Sequence, residues 1–290
     1  MITLRKRLAF RGRSRALLPA LLFLVLAMLA AVTSAGEARR VEGLSFDEID
    51  VNGAVTVEVS AGDEPGLQLL GDAEDLDREP FYVDGRRLVL GRSTEYRRHD
   101  FSDVKFRVEV PELRALRLRG TGTVYLKEMR LADGADTVAV ILDGSGDMRL
   151  YGIEAPALDV RIKGSGDIKA VYVSVKALEA VVSGSGDLYF QRLDARSAEL
   201  VVTGSGDIKV TDDGFVHSLE ANVVGSGDIS MRRVDCDTAE VAVVGSGTVD
   251  LGEVREAIDA TILGSGDVRF DGDPDVEGVE LGSGEVRRRD

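Results

Sequence analysis

From about residue 113 onward the chain alternates apolar and polar positions in short blocks that recur at a nearly fixed spacing. Leu158, Val160 and Ile162 form one such block; Leu178, Ala180 and Val182 form the next, then Ala198, Leu200 and Val202. The series continues through Leu219, Ala221 and Val223, then Ala239, Val241 and Val243, then Ile258, Ala260 and Ile262. A second alternating pair follows each block, as in Ile168 and Ala170, Leu188 and Phe190, or Val249 and Leu251. A period of two predicts β-strands with one buried face. Between the two halves of each repeat stands the triplet Gly-Ser-Gly, usually followed by Asp.

The triplets begin at Gly144, Gly164, Gly184, Gly204, Gly225, Gly245, Gly264 and Gly282, and a variant, Gly-Thr-Gly, begins at Gly120. Successive triplet starts are 20, 20, 20, 21, 20, 19 and 18 residues apart. Self-similarity at such a period marks a solenoid or array. Each repeat reads as strand, Gly-Ser-Gly-Asp corner, strand and a looser return. The expected fold is all-β: a right-handed parallel β-helix of about 20 residues per coil, stacking at about 4.8 Å per coil. Gly at the corner permits positive φ and close approach of backbones, and Asp there accepts backbone N–H bonds. A row of β-hairpins turning on Ser-Gly is the rival architecture.

Residues 41–112 lack the triplet but still alternate. "FDEIDVNGAVTVEVS", "FYVDGRRLVL" and "DVKFRVEVP" each read as strand, the second as a hairpin across Asp84-Gly85. The expected organisation is a signal peptide over residues 1–35, a β-rich capping segment over 36–112 and the solenoid over 113–290. The cap would cover the unpaired strand edge that a bare first coil exposes. "GEVRRRD", at the other end, places charge where stacking should stop.

The first 35 residues have a different pattern. "MITLRKRLAFRGRSR" holds six basic residues and no acid, an uncharged run covers Ala16 to Val32, and small residues at Thr33 and Ala35 suit cleavage after Ala35. This is the layout of a secretory signal, with an uncleaved membrane anchor as the alternative. An exported protein, periplasmic or at the cell surface, is expected. The formal net charge of the chain is −15, and loss of those six basic residues takes it to −21. Such a field repels nucleic acid and anionic lipid. A membrane contact is expected only if the N-terminal segment stays in place. The single cysteine, Cys236, excludes an internal disulfide and reads as a small buried hydrophobe.

The order of "FDEIDVNGAVTVEVSAG", "VDGRRLVLG", "FRVEVPELRALRLRGTGTVYL" and serial GSGD turns resembles the bacterial auto-transporter adhesin head (GIN) domain family. The resemblance covers about residues 41–286. It implies a β-solenoid, an envelope or surface location and no catalytic residue. No translocator barrel is evident after the last triplet, where an auto-transporter would carry one.

Three outward columns carry the candidate chemistry. The corner aspartates Asp147, Asp167, Asp187, Asp207, Asp228 and Asp267 would stack as neighbours and repel by roughly 0.9 kcal/mol per pair in water. Either backbone N–H groups in the turns or a weakly bound cofactor, calcium, must offset that; calcium takes six to eight oxygens. A second acidic column comprises Asp159, Glu179, Glu199, Glu220, Glu240, Asp259 and Glu277, and reads as a solvated face or an array for cations. The residue before each triplet changes from Asp143, Lys163, Ser183 and Thr203 to Val224, Val244, Leu263 and Leu281. Those four would form an exposed apolar stripe for a partner or a second copy, unless a return loop covers it. The two histidines, His99 and His217, are far apart in sequence, and a regular ladder does not single out one active site. The expected function is therefore a non-catalytic, adhesin-like envelope or surface scaffold presenting a face to a protein or glycan partner. The alternative is a calcium-dependent polysaccharide-binding or polysaccharide-cleaving β-helix.

Overall fold

The computed structural model describes residues 37–127, 129–130 and 137–289; the expected signal segment, residues 1–35, lies outside the described residues. From Glu37 onward the chain forms one compact unit. Its repeats pair with one another in parallel and in register, triplet on triplet: Gly144 on Gly164, Gly164 on Gly184, Gly184 on Gly204, and so on to Gly282. The architecture is the parallel β-helix. The hairpin row does not form, because the pairing between successive triplet repeats is parallel throughout.

Each coil has three sides rather than two. The first side leads into the triplet and buries Val160, Ala180, Leu200, Ala221, Val241 and Ala260 as one column. The second leaves the triplet and buries Ile168, Leu188, Ile208, Ile229, Val249 and Val268. The stretch expected as a looser return is a third side. It pairs Val173 with Leu193, and its inner column runs Val175, Ala195, Val216, Cys236 and Val254. Period-two strands on three sides point every second residue into one narrow aliphatic interior, which suits the scarcity of aromatics. Departures from the 20-residue spacing fall away from the triplet corner. The extra residue of the fourth gap sits at Thr211–Gly214, and register shifts occur between Cys236 and Thr238 and between Asp250 and Glu253.

The triplet corner is the tightest point of the stack. The carbonyl of Gly164 accepts N–H bonds from both Ser185 and Gly186 of the next coil, at 2.9 and 3.1 Å, and the same pair of bonds recurs at Gly144, Gly184, Gly204, Gly245 and Gly264. A Cβ on Gly186 would stand 2.2 Å from the Gly166 carbonyl oxygen. The first Gly of each triplet adds a backbone reason: Gly184 has φ +126°, which side chains rarely adopt.

The ladder also reaches back to Glu48. Glu48–Gly53 and Thr56–Ala61 pair in parallel with Ala115–Gly120 and Thr123–Leu126, with Gly53 beneath Gly120. On their other flank they pair in parallel with Arg87–Leu90 and Lys105–Val110. The parallel layer that comes later in the chain, Arg87–Leu90 with Lys105–Val110, thus lies outside the earlier one. Buried Asp47 is held from both neighbouring layers, by Arg86 and Arg114. Antiparallel strands Glu37–Val41, Gly66–Gly71 and Phe81–Asp84 then close the exposed edges. A short helix, Ala73–Asp77, brings Leu76 onto Gly71, and Leu76 joins Phe101 and Phe106 in the core. At the opposite end Glu280 and Arg288 occupy core columns opposite Ile262 and Phe270. Inward charges there discourage further edge pairing.

Two outcomes follow. Gly186→Ala is expected to cost about 3 kcal/mol or more, since backbone must move to admit the methyl group, while Ser185→Ala at the exposed middle position changes little; urea unfolding of the two variants decides it, and equal midpoints would contradict this account of the corner. Cys236 is buried, and burial pushes its thiol up to about 12. A thiol reagent at pH 8 should leave it unmodified until denaturant is added.

Candidate functional site

The corner aspartates do stack, and they find donors in the backbone. Asp167 Oδ1 accepts the N–H of Asp187 at 3.1 Å, Asp187 that of Asp207 at 2.9 Å, Asp207 that of Asp228 at 2.9 Å, and Asp228 that of Thr248 at 2.7 Å. Asp267 repeats the bond with Glu285 at 3.3 Å. Asp147 heads the column, in register with Asp167. Asp167, Asp187, Asp207, Asp228 and Asp267 thus each accept a charge-assisted hydrogen bond from the coil above, which offsets repulsion within the column. The remaining oxygens have uses of their own. Asp187 Oδ2 accepts the Tyr189 hydroxyl at 2.9 Å, and Asp267 Oδ2 accepts from Arg269 at 2.8 Å. The Arg269 hydrogen bond holds the Asp267 carboxyl below its usual range. The hydrogen bond to Asp187, with some burial, pushes the Tyr189 phenol up to about 12. Among the described residues, no three His, Cys, Asp or Glu side chains gather as ligands of a metal ion would.

The apolar stripe is uncovered. Val224, Val244, Leu263 and Leu281 are 49, 42, 41 and 62% exposed and lie in register on four successive coils. Two positions before them on the same outer face stand Asn222, Ala242, Thr261 and Val279, and two further stands the second acidic column. In that column Arg161 pairs with Asp159 and Glu179 at 3.0 and 2.8 Å. Burial raises the Asp159 carboxyl, whose Oδ1 has no hydrogen-bond partner. Among the described residues no Lys or Arg pairs with Glu199, Glu240, Asp259 or Glu277, so the stripe runs beside an uncompensated acidic edge.

The histidines do not meet. His99 Nε2 lies 2.7 Å from Asp75 in the N-terminal segment, and His217 Nδ1 lies 2.9 Å from Asp237 on the third side. The outward column of the second side, which the sequence presents as a mixed ladder, has more order than its letters show. Arg149 lies 5.6 Å from the Tyr125 ring centre and Lys169 5.4 Å from that of Tyr189. Tyr125 and Tyr151 escape notice in the sequence because they fall in different phases of the repeat; an unusual run of tyrosines in consecutive coils was the available signal.

These features place the chain in a known class of solenoid. Residues 45–215 and 210–274 match the family described as "Putative auto-transporter adhesin, head GIN domain", and the chain belongs to that family. Among solved structures it is similar to a "putative lipid binding protein" from Parabacteroides distasonis, with 24% identity and a TM-score of 0.63 over 88% of this chain and 96% of that one. It is also similar to a "putative adhesin" from the same organism, at 18% identity and a TM-score of 0.58 over 87% of this chain and 96% of that one. Another "putative adhesin", from Parabacteroides merdae, matches at 16% identity and a TM-score of 0.58, over 88% and 96%. At these identities the likeness is one of fold. No curated protein matches the sequence.

The aspartate ladder generates two expectations. Asp187→Asn with Asp207→Asn keeps an acceptor oxygen at each corner, so the melting temperature should change little, and calcium or a chelator should not move it. A calcium-dependent rise that the double variant removes would make the column a metal ladder instead. Tyr189 titrates late because its neutral form is held in the fold. The stabilisation is intact below the unfolded phenol value near 10 and is lost as pH climbs toward 12. Phenolate absorbance should show one tyrosine ionising late, and Tyr189→Phe should remove that step.

Proposed function

We propose that this protein is an exported, non-catalytic, adhesin-like scaffold that engages a partner at the cell envelope through the outer face of its first side. The observation that carries this reading is the change of one column from polar to apolar at Val224, with four large apolar side chains left open to solvent. Contiguous exposed apolar surface beside charge is characteristic of interaction sites. Family membership supports the adhesin-like role, and the signal-like residues 1–35 support export to the periplasm or surface. Among the described residues no helix is long and apolar enough to cross a membrane.

The test is adhesion of the chain from Glu37, which forms one compact unit, to bacterial envelopes and to itself. Val244→Ser with Leu263→Ser should abolish capture or self-association while leaving the melting temperature within a few degrees. Unchanged adhesion in that variant overturns the assignment.

A further inference from the structure

Four of the six tyrosines, Tyr125, Tyr151, Tyr172 and Tyr189, fall in consecutive coils, and no tyrosine follows them. Tyr125 and Tyr151 wall a shallow, open depression of about 390 Å³ whose other lining residues are Glu58 and Lys127. Tyr151 is 51% exposed, and its backbone N–H bonds the Leu126 carbonyl at 2.9 Å, which fixes it beside Lys127. Glu58 pairs in register with Tyr125 and lies 3.4 Å from Arg107, which steadies its carboxylate. Two amphipathic rings therefore line the depression together with one carboxylate and one ammonium.

We propose that this depression is a binding site for an uncharged pyranose glycan. The tyrosine faces supply apolar surface for the C–H face of a sugar ring, and their hydroxyls stay wet. Glu58 accepts and Lys127 donates hydrogen bonds to ring hydroxyls. Lys127 and the Arg107 beside Glu58 leave a small local positive charge, while the chain as a whole carries a formal net charge of −15, a field that disfavours an anionic ligand. Above it the same outer column continues through Arg149, Lys169 and Tyr189, whose cations rest against tyrosine rings. At about 4.8 Å per coil that column offers successive contacts to an extended chain running along the rod. The site lies on a different side from the apolar stripe and stands or falls independently of it.

The test uses an array of neutral and uronate-containing oligosaccharides, followed by titration of the retained sugars against intrinsic tyrosine fluorescence, which no tryptophan obscures. The wild-type chain is expected to retain neutral oligosaccharides. Tyr151→Ala and Tyr125→Ala should each weaken binding about tenfold, whereas Tyr151→Phe, which keeps the ring, should stay within about twofold. Val244→Ser with Leu263→Ser should leave glycan binding unchanged, even where it abolishes adhesion. Retention of uronate glycans alone, or of none, overturns the proposal. So does undiminished binding by Tyr151→Ala, an exposed substitution whose melting temperature should match the wild type.

Discussion

The structure depends on the contact between glycine corners. Each triplet sits on the one before it with a carbonyl oxygen where a Cβ would otherwise be, so that two glycines per coil are required. Because in most coils one carbonyl receives the N–H groups of both Ser and the second Gly of the next coil, and at Gly120 and Gly225 that of Ser alone, the corner cannot slip by a residue without breaking these bonds. Register is thereby pinned at one point in every coil. Chain-length variation is absorbed elsewhere, at the turns around Thr211–Gly214, Cys236–Thr238 and Asp250–Glu253.

Pinned register turns every sequence position into a column. In the interior this is favourable, since aliphatic side chains of similar shape stack at one spacing and exclude water. On the surface it forces like charges together. The corner aspartates accommodate this by drawing backbone N–H groups to their carboxylates; the second acidic column does so through Arg161 at its start and through solvent further along. A surface made of columns is uniform along the rod, so recognition must arise where a column changes character. Two such changes stand out: the apolar turn at Val224 on the first side, and the tyrosine-rich stretch from Tyr125 to Tyr189 on the second and third.

A stacked parallel sheet also has two ends that must be protected from further pairing. The N-terminal end is covered by strands that reverse direction, by a one-turn helix carrying Leu76, and by Phe101 and Phe106. The last described coil instead places Glu280 and Arg288 where aliphatic residues stand in the coils beneath. A charge in a core column makes any further layer pay for its burial.

Much of this was legible in the sequence. The 20-residue period, the alternation around Val160 or Ile168, the need for glycine at the corner and the outward direction of Val224, Val244, Leu263 and Leu281 follow from local patterns with a two-residue period. The third side was not legible, because residues such as Val173 and Val175 alternate over too short a span to stand out from a loop. The spatial order of the first layers was equally hidden: strands 48–61 and 87–110 carry the same pattern, and nothing local says which lies outermost. The ladder from Asp167 to Thr248 and the depression between Tyr125 and Tyr151 needed the tertiary structure for one reason. Both join residues about one coil apart or more, and which atoms meet there is set by the stacking of coils, to which each residue's own neighbours in the chain contribute only in part.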